Sequence, residues 1–243
     1  MARGYPDWGV LTSQIASHET DLAELAARLG SPYTFTRSGK VLFYDTFRGG
    51  IPHWILSNSG TGSTAIALLT TGFFAPGSLR LISGTAVSTA YAGIKKRFPD
   101  LTNGKYGIEI LFWCTHTDDI MEVSLYRNSG ASQYQFAARV NLNADKLQVY
   151  NDSALYTDIA TIGNLALTDE SWNVLKMVID VNALTYKSVR LNGTLVTSGF
   201  PSPDTIGSIT DPGLIELRLK KSNPVSSAKA AYVASCILTI DEP

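Results

Sequence analysis

Beyond residue 40 the chain follows a two-residue rhythm of apolar and polar side chains, the period of a pleated strand. In Val41–Phe47, Leu42, Tyr44 and Thr46 share one face, and Val41, Phe43, Asp45 and Phe47 the other. His53–Asn58, Thr64–Thr71 and Ser78–Ser83 follow, each bounded by Gly, Pro or Ser. Lys105–Cys114 and Asp119–Arg127 pair around Thr115–Asp118, and Gln133–Asn141, Leu147–Asn151 and Leu155–Ala160 read as a meander. Ser171–Gly199 carries the clearest signal: a strand led by Trp172 runs to Asp180, and one led by Tyr186 runs to Asn192-Gly193. Asn-Gly tolerates positive φ, which a type I′ hairpin requires. A proline-rich loop, Phe200–Pro212, precedes Leu214–Lys221, and Ala230–Asp241 is expected to lie beside the first strand. The pattern predicts an all-β, two-sheet antiparallel jelly-roll sandwich over 41–241.

Ahead of it the period changes. Leu11, Ile15, His18, Leu22, Leu25 and Leu29 are spaced four, three, four, three, four, which is the seam of a coiled coil. Thr12 or Ser13 caps the start, and Gly30 followed by Pro32 stops an α-helix over 11–30. A helix this short is marginal alone, so its stripe must pack on something. Two readings stand: a helix lying on the sandwich, or self-association, with a trimer expected before a dimer. Residues 1–10 form an extended arm whose Tyr5 and Trp8 need a covering surface, and 31–40 is a linker.

Composition narrows the function classes. The 243 residues carry 20 basic and 21 acidic side chains, a net charge of −1 with no polybasic run, so nucleic acid is not an expected partner. No run approaches the ~20 apolar residues of a membrane span, and the opening residues lack the apolar core of a secretory signal. Cys114 and Cys236, far apart in strand-like runs, read as buried free thiols, with a disulfide as the alternative.

Several segments together resemble the concanavalin A-like, or laminin-G-like, sandwiches. They are Asp45-Thr46-Phe47, Trp54, Ser78–Leu81, Tyr106–Glu109, Trp172 through Gly193 and the closing Leu238–Asp241. The resemblance implies paired first and last strands, a core-lining Trp strand, and a module used mostly for binding or structure. The opening Gly4-Tyr5-Pro6-Asp7 looks like the start of some phage and virus structural proteins.

Catalytic patterns are sparse. Glycoside hydrolysis needs two carboxylates about 5–9.5 Å apart, and neither Glu-x-Asp-x-x-Glu nor Glu-x-Asp-x-Glu occurs; Glu109 and Glu122 each stand alone. Cys114 and His116 are two apart, but a buried thiol beside a turn histidine is the simpler reading. Asp118 with Asp119, or Asn151 with Asp152, offers part of a calcium shell without a dense acidic loop, so no metal or cofactor is expected. Sugar recognition is the sharper candidate. Tyr126, Tyr134 and Tyr150 flank turns beside Asn128 and Asn151, where rings would stack on sugars and amides fix hydroxyls; Trp54 and Trp172 read as core.

The expectation is a non-enzymatic structural protein of a virion or extracellular particle, a capsid decoration, tail or fibre component. It would be a homo-oligomer anchored to other particle subunits through Tyr5, Trp8 and the helix seam, with host glycans as a further partner. The alternatives are a lectin-like adhesion module and a glycoside hydrolase with an atypical site.

Overall fold

The computed structural model describes residues 39–68, 77–85, 90–100, 104–129, 132–163, 172–207, 213–223 and 229–242. The expected arm (1–10), helix (11–30) and all but the end of the linker lie outside the described residues, and with them Tyr5, Trp8 and the whole Leu11–Leu29 seam.

Sixteen strands among the described residues form two antiparallel sheets. Sheet I runs in the order β13 (Thr194–Val196), β12 (Thr185–Leu191), β11 (Asn173–Asp180), β6 (Lys105–Cys114), β16 (Ala230–Ile240), β4 (Ser78–Ile82) and β3 (Thr64–Leu68). There β1 (Lys40–Asp45) also pairs with β16, so first and last strands lie together as the resemblance implied. Sheet II runs β10 (Tyr156–Thr161), β9 (Lys146–Tyr150), β8 (Ser132–Asn141), β7 (Ile120–Ser129), β15 (Leu214–Ser222), β5 (Tyr91–Pro99) and β2 (Ile55–Leu56). A short β14 (Asp204–Ile206) adds to β8.

Alternation explains why the sheets face each other. Ile108, Ile110 and Phe112 of β6 and Leu175, Met177 and Ile179 of β11 point inward from sheet I. Val123 and Leu125 of β7, Leu217 and Leu219 of β15 and Ile94 of β5 meet them from sheet II. Each such side chain contributes about 1.5–3 kcal/mol on full burial.

The Asp45–Phe47 motif has a local purpose. Asp45 Oδ1 accepts the Phe47 amide at 2.7 Å, holding Phe47 at a φ of 60°. Asp45 Oδ2 accepts the Trp54 indole N–H at 2.7 Å, which lets that buried ring enter the core with its polar atom satisfied.

Several expectations change. Strands β6 and β7, expected to pair around Thr115–Asp118, lie in opposite sheets instead: β6 pairs with β11 and β16, β7 with β8 and β15. Trp172 does not line the main core; it packs with Leu111, Val174 and Ala234 on the outer face of sheet I, 6.2 Å from the Trp113 ring. Residue 172 falls in the same phase as Val174 and Lys176, the outward phase of β11. At the Asn-Gly connection Leu191 faces Thr194, but only Asn192 takes a left-handed φ (49°), so it departs from type I′. Strand β5 was absent from the expected set, although it is interior to sheet II.

The cysteines are free and buried. Cys236 faces Ile110 while Cys114 faces Ala231, a displacement of four residues along β6, about 13 Å. A disulfide needs Cα atoms within about 7 Å, so the two thiols do not pair.

Candidate functional site

With Met121, Val123 and Leu125 committed to the core, β7 turns Glu122, Ser124, Tyr126 and Asn128 to the outer face of sheet II. The same phase sends Glu216, Arg218 and Lys220 outward from β15, and Gly93, Lys95 and Arg97 from β5. Register then assembles rows across the sheet. Lys220, Glu122, Arg139 and Gln148 lie opposite one another in one row, closed by Asp158 of β10. Arg97, Glu216, Tyr126 and Gln135 make another.

Two polar knots result. In the first, Tyr156 Oη donates to Glu122 Oε2 at 2.7 Å, and Lys220 Nζ stands 3.5 Å from the same oxygen. The Arg139 guanidinium lies 3.4 Å over the Tyr156 ring, and its Nε donates to Gln148 Oε1 at 2.6 Å. Gln148 in turn donates to Asp158 Oδ1 at 2.6 Å. In the second knot, Glu216 receives Arg97 at 2.8 Å, Arg218 at 2.5 Å and Lys95 at 3.6 Å. Arg218 also covers the Tyr126 ring at 3.9 Å, and Lys220 covers Tyr91 at 4.9 Å. Between the knots is a cavity of about 80 Å³ lined by Tyr91, Gly93, Glu122, Tyr126, Arg218 and Lys220.

The electrostatics follow from this packing. Burial pushes the Tyr126 hydroxyl up to about 12. Burial, then the Glu122 carboxylate, pushes Tyr156 well above the ordinary phenol range. Glu216 moves the other way: burial opposes its charge, but Arg97, Arg218 and Lys95 together outweigh burial and hold it below the ordinary carboxyl range.

The sequence-derived candidates separate. Tyr126, Asn128 and Tyr150 do reach this face: Asn128 Oδ1 accepts from Gln133 Nε2 at 2.8 Å, and the Tyr150 ring sits 4.9 Å from that of Tyr156. Tyr134 follows the opposite phase of β8 and packs against the core. Asn151 shapes the β9–β10 turn: its Oδ1 accepts the amides of Ser153 and Leu155, both at 3.0 Å, and its Nδ2 donates to Thr157. Arg139, Tyr156, Glu216 and Arg218 were not foreseen. Their signal was the polar phase of β8, β10 and β15, which acquires meaning only once register is known.

Other candidate chemistry disperses. Glu109 lies on the outer face of sheet I, opposite Lys176 and Ile237, with the whole sandwich between it and Glu122. Glu122 faces Lys220, four residues from Glu216 on β15, an offset of about 13 Å and beyond the span of a glycosidase pair. Burial raises the Cys114 thiol well above its ordinary range, and His116 pairs with Asp118 at 3.0 Å. No group of three His, Cys, Asp or Glu side chains among the described residues is placed to hold a metal ion.

No known protein family matches the sequence, and no curated protein does. Solved structures match in fold. An endo-β-1,4-glucuronan lyase from the fungus Trichoderma reesei is 8% identical with a TM-score of 0.56, over 82% of this chain and 95% of that one. The carbohydrate esterase vb_24B_21 of the Shiga toxin-encoding bacteriophage phi24B is 13% identical with a TM-score of 0.53, over 84% and 100%. The cellulose-induced protein Cip1 is 9% identical with a TM-score of 0.52, over 81% and 96%. The chain has the concanavalin A-like jelly-roll fold. Since a lyase and an esterase share it, the architecture does not carry the expectation of a protein without enzymatic activity.

Proposed function

We propose that the chain is a carbohydrate-binding module that takes an extended glycan across the outer face of sheet II. The observation that carries this reading is the convergence of Tyr126, Tyr156, Glu122, Arg139, Gln148 and Arg218 from five strands onto one face. A glycan presents alternating donors and acceptors, and such a face offers both. The 80 Å³ cavity is far below the roughly 300–1,000 Å³ of an enclosing ligand pocket, so the ligand lies along the face. Recognition runs through hydrogen bonds more than ring stacking, because Arg218 and Arg139 already occupy the Tyr126 and Tyr156 rings.

Binding is favoured over glycoside hydrolysis because neither Glu109 nor Glu216 lies within the span of a glycosidase pair from Glu122. It is favoured over proton abstraction by tyrosine because Tyr126 and Tyr156 both keep their protons at neutral pH. The test is retention on an affinity gel across a panel of neutral and acidic polysaccharides. Arg218→Ala should lose retention by about tenfold or more, roughly 1.4 kcal/mol, while Glu216 keeps Arg97 and Lys95 and the fold persists. Unchanged retention in that variant, or no retention of any glycan by the parent, would sink the reading.

The particle setting is a second proposal. The heptad spacing of Leu11–Leu29 supports it, since bundled copies would gather several glycan faces and raise avidity. Removing residues 1–30 is expected to convert a trimer to a monomer by mass measurement. Monomers with and without the segment would contradict it.

A further inference from the structure

Resting on the glycan-binding reading, we infer that the face selects an acidic glycan, a polymer repeating carboxylate or sulfate groups, by means of a cationic track along β5 and β15. The track consists of Lys95, Arg97, Arg218 and Lys220, set among the two carboxylates Glu122 and Glu216. By count these six side chains carry four positive and two negative charges, a surplus of two, in a chain whose net charge is −1.

Exposure sharpens the asymmetry. The cations are 22%, 47%, 31% and 34% exposed, whereas Glu216 and Glu122 are 6% and 4% exposed. The carboxylates lie beneath and the charge that an arriving ligand meets is positive. Three cations share Glu216, and their mutual repulsion is relieved when an anion arrives. Guanidinium groups suit this task because their planar forks pair with carboxylate or sulfate oxygens.

Geometry argues for a polymer over a lone anion. Arg97 faces Glu216, Lys95 faces Arg218, and Lys220 faces Gly93. The charges therefore step along two adjacent strands for four residues, about 13 Å, longer than one anionic group spans. Gly93 ends the track opposite Lys220 and lines the cavity beside it, where the Leu219 and Ser57 carbonyls occupy the space a Cβ would take.

The experiment is calorimetric titration of the full chain with polygalacturonate, dextran sulfate and an uncharged glucan, at about 0.05 and 0.5 M salt. Affinity for polygalacturonate or dextran sulfate is expected to exceed that for the uncharged glucan by about tenfold or more, and to fall several-fold at the higher salt. The stronger of the two separates carboxylate from sulfate as the anionic group. Arg97→Gln and Lys220→Gln are each expected to weaken the acidic ligand about three- to tenfold and the uncharged glucan by a smaller factor. Equal or better binding of the uncharged glucan overturns the acidic preference and leaves the glycan-binding reading standing. Binding of none of the three overturns both. Acidic binding untouched by either variant overturns the assignment to this track.

Discussion

Lys221→Ala is expected to cost about 3–5 kcal/mol of folding stability, the largest effect of any single change considered. Lys221 and Asp119 are both fully buried at one end of the sandwich, with Nζ 2.9 Å from Asp119 Oδ1. The ammonium also donates to Ser83 Oγ at 2.8 Å and to the Lys229 carbonyl at 2.9 Å. Removing it strands a carboxylate without its cation. Burial raises the Asp119 carboxyl and lowers the Lys221 amine, and in each case it outweighs the partner's attraction. A raised carboxyl value means that ionised Asp119 detracts from stability as pH climbs through it, and a lowered amine value means that protonated Lys221 detracts as pH falls through it. Both charges are therefore held at a cost. It follows that Lys221→Met combined with Asp119→Leu should be about as stable as the parent, or more so, although each single change is damaging. Urea unfolding of the two singles and the double checks this; additive losses in the double would contradict it.

Tyr186→Phe is expected to cost about 1–3 kcal/mol for each backbone group it strands. Tyr186 belongs to β12 of sheet I, yet its hydroxyl crosses the core to sheet II. There it accepts the Ala137 amide at 2.9 Å and donates to the Tyr150 carbonyl at 2.9 Å. The position explains the need. On β8, residues 133–135 pair with β14 and residues 138–141 pair with β9, so Ala137 falls between the two ladders. The phenol supplies the partner that the sheet omits, from a ring packed edge-on against Phe136. Unfolding free energy together with hydrogen exchange at the Ala137 amide would show it. A Phe variant with parental stability and undiminished protection of that amide would contradict the role.

The strands that alternation made legible were those with one clean apolar phase. Lys105–Cys114 matches β6 end to end, and β7, β8, β9 and β15 fall within a residue or two of expectation. Strand β5 escaped because Tyr91–Pro99 contains Gly93 and the run Lys95-Lys96-Arg97, which reads as a solvated connection. The structure resolves the conflict at Lys96, which sits in the inward phase near the strand end with its ammonium 4.7 Å from the Phe43 ring centre and 5.9 Å from that of Phe98. Missing β5 also concealed half of the cationic track, since Lys95 and Arg97 lie on it.

The same logic governs the site. Tyr126 and Tyr150 were legible as aromatics near turns, and so were Tyr134 and Asn151, but nearness in sequence does not fix a face. Strand phase sent Tyr134 to the core, and the turn geometry absorbed the Asn151 amide. Glu122 meets Tyr156, 34 residues away in sequence, only because three strand pairings bring β10 beside the β7 row. No local pattern encodes that meeting.

The most direct test of a glycan-binding outer face on sheet II is amide chemical-shift mapping, by nuclear magnetic resonance, with oligosaccharides drawn from whichever polysaccharide the chain retains. Perturbations should concentrate on outward residues of β5, β7, β8 and β15, with Arg97, Tyr126, Arg139 and Arg218 among them. Shifts confined to the outer face of sheet I, around Glu109, Trp113 and Lys176, would contradict the account.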